Sequence, residues 1–209
     1  MTTTTPISIT DLTAALTAQG WTYLREVYTD AHQHNEIHEL GSPDGRLRLD
    51  ASIHPDGFVI ARLSADAVRT DPGRSPGWVA DLHEVPLPVA LAAVKAAADS
   101  SPNSHRIHLA VTAALVAHGW EQDADTTERG RLVERTWESP DSPRTVVWNP
   151  ADDFDEGGWT IYRDGPEDGK TNISQYTPAA VITALALTNH PDDYTDHPVP
   201  NTAPKTSRS

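Results

Sequence analysis

The sequence predicts an α+β fold built as a tandem duplication, each unit an antiparallel meander sheet of four or five strands flanked by helices. Three observations carry that expectation. An apolar run ending in Gly-Trp occurs at Ala14 to Trp21 and again at Ala113 to Trp120. A Ser-Pro-Asp turn at Ser42-Pro43-Asp44 returns at Ser139-Pro140-Asp141, and the stretch Gly57 to Arg62 returns as Gly158 to Arg163. A proline-led segment rich in Ala and Val closes each unit, at Pro86 to Ala97 and Pro178 to Leu187. Order and spacing repeat together, which places the units at residues 8–98 and 106–189.

Within the first unit, Thr10 is a suitable N-cap for a helix with Leu12, Ala15 and Leu16 as its apolar stripe, and Gly20 supplies a left-handed stop. The second unit repeats the pattern with Ser104, then Ile107, Val111, Ala114 and Leu115, then Gly119. After each Gly-Trp the period changes to two, so Trp21, Tyr23 and Arg25 alternate with Thr22, Leu24 and Glu26. Ser42-Pro43-Asp44-Gly45 has proline second and glycine fourth, the pattern of a type I turn between antiparallel strands. Leu47, Leu49, Ala51 and Ile53 are then expected inward, with Arg46, Arg48, Asp50 and Ser52 outward. In the second unit Val146 and Trp148 share one face, Thr145 and Val147 the other.

Residues 69–77 read as a loop, and Asp99 to Asn103 as the link between units. Pro86 and Pro88 introduce a helix carrying Val89, Leu91 and Val94. Thr177-Pro178 introduces another, with Thr177 as cap and Val181, Ile182 and Leu185 as buried stripe. Residues 190–209 are Pro-, Asp- and Thr-rich, with too little apolar surface to offset the entropy of ordering, and are expected to be a disordered tail.

The chain of 209 residues carries 16 basic and 30 acidic residues, a net charge of −14. Both halves are acidic, which disfavours nucleic acid and anionic membranes as partners. Without cysteine there are no disulfides, thiolate metal sites or cysteine nucleophiles, and a reducing cytoplasm fits. No apolar stretch approaches the ~18 residues of a membrane span, and the polar start is not that of a signal peptide.

The Ser-Pro-Asp turn before an Arg-containing strand, the aromatic residue of the following strand and the closing Thr-Pro-Ala-Ala helix resemble the SPDY-motif domain, an actinobacterial family of unknown function. The similarity covers roughly residues 40–98 and 137–189, and the fourth motif position holds Gly45 and Ser142. The resemblance implies a duplicated, non-enzymatic domain and supplies no catalytic residues.

Several patterns have a chemical reading. Gly73-Arg74-Ser75-Pro76-Gly77 has hydrolase-elbow spacing, but Pro76 lacks the amide hydrogen that an oxyanion needs after the nucleophile. Gly165 to Thr171 is one residue short of a phosphate loop and puts Glu167 and Asp168 where phosphates would sit, so a solvated hairpin loop is expected. Asp30, His32, His34, Glu36 and His38 alternate along one strand face, yet a flat row does not surround an ion. Asp152, Asp153, Asp155 and Glu156 lack calcium-loop spacing and a distal bidentate Glu. Trp137, Trp148 and Trp159 read as core, although stacked aromatics also serve single-stranded nucleic acid.

The function expected from the sequence is therefore non-catalytic: binding of a protein partner, or self-association, through a sheet face or edge presented twice, with no cofactor and no metal. One alternative is DNA binding through a surface formed by Arg46, Arg48, Arg62 and Arg163. Another is DNA mimicry by the carboxylates.

Overall fold

The computed structural model describes residues 9–29, 36–53, 58–70, 73–101, 106–140, 144–152, 156–163 and 169–188. Asp30, His32, His34, Ser104, Asp141, Asp153, Asp155, Glu167, Asp168 and the expected tail lie outside the described residues. The first half runs α1 (Ile9–Ala18), β1 (Thr22–Thr29), β2 (Glu36–Gly41), β3 (Leu47–Ile53), β4 (Val59–Ala65), β5 (Val68–Thr70), β6 (Gly73–Ser75), β7 (Trp78–Val85) and α2 (Leu87–Asp99). The second runs α3 (Ile107–Ala117), β8 (Glu121–Gln122), β9 (Thr126–Glu128), β10 (Arg131–Glu138), β11 (Arg144–Asn149), β12 (Gly158–Arg163), β13 (Thr171–Ser174) and α4 (Ala179–Leu187).

The glycine stops are local chemistry that the sequence already carries. After α1, Gly20 (φ +86°) donates its N–H to Thr17 O at 2.9 Å and Trp21 donates to Leu16 O at 3.1 Å. Gly119 (φ +78°) and Trp120 repeat this pair onto Val116 O and Leu115 O at 3.0 and 3.1 Å. Both ends are Schellman motifs, which satisfy carbonyls the helix leaves open and turn the chain into the sheet. A Cβ on Gly20 would lie 3.2 Å from Pro43 Cγ, and one on Gly119 3.7 Å from Pro140 Cγ. The helix stop therefore packs on the Ser-Pro-Asp turn in each half, which explains why the two motifs travel together.

The Ser42 turn connects β2 to β3. Gly45 N–H donates to Ser42 O at 2.9 Å, and Leu47 N–H donates to Ser42 Oγ at 2.9 Å. The Ser42 hydroxyl and the Arg46 guanidinium, which pairs with Asp44, lower the Asp44 carboxyl to about 2.

The main sheet has the order β1-β2-β3-β4-β7-β13-β12-β11-β10-β8, with β9 on part of β10, and the described pairings are antiparallel. The two halves thus meet edge to edge, with Asp81 opposite Asn172 and Ala80 opposite Ile173. Above that seam α2 packs against α4. Residues 69–77, expected as a loop, hold β6 and all of β5 but Val68, and these two strands pair with each other apart from the main sheet.

Period-two burial gives the sheet one covered face. Leu47, Leu49, Ala51, Val59, Ala61, Leu63, Ala80, Leu82, Val146, Trp159, Ile161 and Ile173 join one core with buried residues from all four helices. A fully buried Leu or Ile there contributes about 1.5–3 kcal/mol through removal of apolar surface from water. The alternate residues form an open face, as a half-solvated antiparallel sheet allows.

Three local expectations are corrected. Thr10 lies inside α1 rather than before it. Thr177 does not cap α4: its hydroxyl donates to Val79 O at 3.2 Å, tying the helix start to β7, and Pro178 occupies the cap position. The third correction concerns register. Ser42 N–H bonds Leu47 O and Ser139 N–H bonds Arg144 O, both at 3.0 Å; Leu47 then opposes Ala65 and Arg144 opposes Arg163. Arg163 therefore corresponds to Ala65, not to Arg62, and the odd slip puts the two arginines on opposite faces.

Candidate functional site

The open face is organised by one transverse row, set by strand register. From β1 to β10 it reads Arg25, Glu39, Asp50, Arg62, Asp81, Asn172, Thr160, Val147, Thr136. The first five are ionic and the last four are not.

Glu39 Oε1 lies 3.4 Å from Arg48 Nε, and Glu39 Oε2 lies 3.9 Å from Arg25 Nε. Arg62 donates to both oxygens of Asp81, Nε to Oδ1 at 2.7 Å and Nη2 to Oδ2 at 3.1 Å. That hydrogen bonding raises the Arg62 pKa. Asp50, between these pairs, has an Oδ1 that is buried without a hydrogen-bond partner among the described residues. Burial, and then the facing Glu39, push its carboxyl upward against the weaker pull of Arg48, Arg62 and Arg25.

Two hollows share Asp81 and Asn172 at the seam. One, of about 370 Å³, is lined on the first half by Ile37, Asp50, Ser52, Ile60, Arg62 and His83, with Lys170 at its far side. The other, of about 360 Å³, lies on the second half over Asn149, Gly157, Gly158 and Thr160. A Cβ at Gly158 would stand 2.6 Å from Ile173 O, so this glycine lets β12 and β13 approach.

The four arginines expected on one surface are divided between two tasks. Arg48 and Arg62 stand on the open face. Arg46 donates to Ala98 O at 3.1 Å and Ser100 O at 3.3 Å, holding the end of α2. Arg163 is buried and donates to Leu185 O at 2.9 Å, while Arg144 donates to Ala186 O at 2.8 Å, so both hold the end of α4. Cationic donors suit helix C-termini because unpaired carbonyls and the helix dipole converge there.

Of the histidine row, Glu36 is exposed and His38 points to the helix-covered face, its ring 6.1 Å from Tyr23. Among the described residues, no group of three His, Asp or Glu side chains is placed to hold a metal ion. Trp137 and Trp159 are buried and stack at 6.0 Å. Trp148 is half-buried, with His108 stacked on it at 4.8 Å. Ser75 sits in the β5–β6 hairpin, not at a strand-to-helix elbow. Among the described residues, no helix is long and apolar enough to cross a membrane.

Glu39, Asp81, His83, Ile37 and Ile60 were not singled out from the sequence. A usable signal was present, since Glu39 precedes Leu40, and Asp81 separates Ala80 from Leu82, as outward positions must in a half-covered strand. Comparison with family models, with curated proteins and with solved structures found no match to this chain.

Proposed function

We propose that this chain is a non-catalytic binding protein that contacts a protein partner through the open face of its sheet. The observation that carries the reading is one-sided packing: the helices cover one face, while the other presents two adjoining hollows with Ile37 and Ile60 half-buried among charges. Apolar groups inside a charged rim are the usual make-up of a recognition surface. The net charge of −14 favours a basic partner.

The same reading includes an origin by doubling of a helix, sheet, helix unit. It is supported by the matched glycine stops, the matched proline contacts and the strand order reversing about the β7–β13 seam. The resemblance to the SPDY-motif domain points the same way. DNA binding is less well supported, because Arg46 and Arg163 serve helix ends and Arg48 and Arg62 are paired with carboxylates.

The absence of native cysteine makes single-site cross-linking a direct test. Ile60→Cys on the open face is expected to yield a discrete adduct that excess unlabelled chain competes away, and Ala113→Cys on the outer side of α3 is expected to yield none. Adducts from Ala113→Cys alone would refute the assignment.

A further inference from the structure

Resting on that binding reading, we infer that the first-half hollow is a subsite for a basic side chain of the partner protein, its alkyl stem against Ile37 and Ile60 and its cation against Asp50. The hollow of about 370 Å³ is large enough for such a side chain. Its ionic groups are unevenly committed. Asp81 holds Arg62 through two hydrogen bonds, and Glu39 lies near Arg48 and Arg25. Lys170 Nζ lies 5.9 Å from the Tyr162 ring centroid. Asp50 Oδ1 is buried without a hydrogen-bond partner among the described residues, and Asp50 stands opposite Glu39 on one side and opposite Arg62, already held by Asp81, on the other.

Like charges directly opposite one another on a sheet repel, and burial sharpens the cost. A guest cation in the hollow beside Asp50 offsets that repulsion and supplies Asp50 with a counter-ion. A guest anion meets the carboxylate of Asp50, while the Arg62 that also lines the hollow is already held by Asp81. At the corresponding places of the second half stand Thr136, Val147, Thr160 and Asn172, and the one carboxylate lining the second hollow among the described residues is the shared Asp81, already held by Arg62, so that hollow lacks this preference.

The test uses the full chain with two blocked tripeptides, one centred on arginine and one on its neutral isostere citrulline, followed by amide NMR shifts. The arginine peptide is expected to move signals of β3, β4 and β7 and the citrulline peptide to leave them in place. Asp50→Asn, which preserves shape, is expected to weaken arginine-peptide binding about tenfold. Ile60→Trp, which fills the hollow, is expected to weaken it as well, and Glu121→Gln on β8 to leave it unchanged. Equal response to citrulline, wild-type binding by Asp50→Asn, or an equal loss with Glu121→Gln would overturn the subsite. If the Ile60→Cys adduct persists under any of those results, the open-face reading stands and only the subsite falls.

Discussion

The two halves of the sheet are alike where they meet the helices and unlike where they face outward. On the covered side each half ends its first helix with a left-handed glycine, seats that glycine on the proline of the next turn and buries the following tryptophan. On the open side, Glu39, Asp50, Arg62 and Asp81 correspond to Thr136, Val147, Thr160 and Asn172. Packing constrains the first set, because a close-packed interior tolerates little change of volume or backbone geometry. Positions on the open face are packed from one side only and carry less of that constraint, so charge can differ there. A difference concentrated on the unconstrained side is what specialisation of one binding half would leave.

The covered sides also differ in bulk, and Trp137→Ala breaks the comparison most severely. Trp137 is fully buried and stacked on Trp159, whereas the corresponding position in the first half is Leu40. Its loss is expected to cost about 3–5 kcal/mol, measured by denaturant unfolding. Next come the glycine stops. Replacement of either Gly20 or Gly119 by Ala forces a non-glycine residue into the left-handed region, at about 1–2 kcal/mol. The loss should be larger at Gly20, where Pro43 stands 3.2 Å from the new Cβ, than at Gly119, where Pro140 stands at 3.7 Å. Equal losses would mean that the proline contact is immaterial.

The smallest expected effect is on Asp50. A carboxyl whose folded pKa is raised binds protons more readily in the native state, so its ionisation opposes folding as pH rises through that raised value. Asp50→Asn should therefore raise the melting temperature at neutral pH, and the gap from wild type should close as pH falls and Asp50 becomes protonated. A variant less stable than wild type at neutral pH would show that the carboxylate is held favourably.

Features encoded within a few residues were legible in the sequence. Gly20 and Gly119 as stops, the Ser42 turn, and the inward Leu47, Leu49 and Ala51 all follow from local rules of φ, turn chemistry and pleat. Features that need one strand placed against another were not. Arg62 and Arg163 look equivalent in a linear match of short motifs, and only the pairing of β3 with β4 and of β11 with β12 shows them to face opposite ways. The opposition of Glu39 to Asp50 follows from the register of the Ser42 hairpin, whereas the seam between β7 and β13 depends on contacts between distant segments, to which no local propensity points. Thr177 was misassigned because a Thr-Pro pair is a fair cap signal, while its hydroxyl is taken by Val79 on another strand.

The central claim is that recognition belongs to the open face and favours its charged half. The direct measurement is the yield of partner adduct from Ile60→Cys against Val147→Cys, at matched concentration in the otherwise cysteine-free chain. The account predicts a clearly higher yield at position 60, reduced by added Asp50→Asn. A higher yield at position 147, or equal yields indifferent to Asp50, would contradict it.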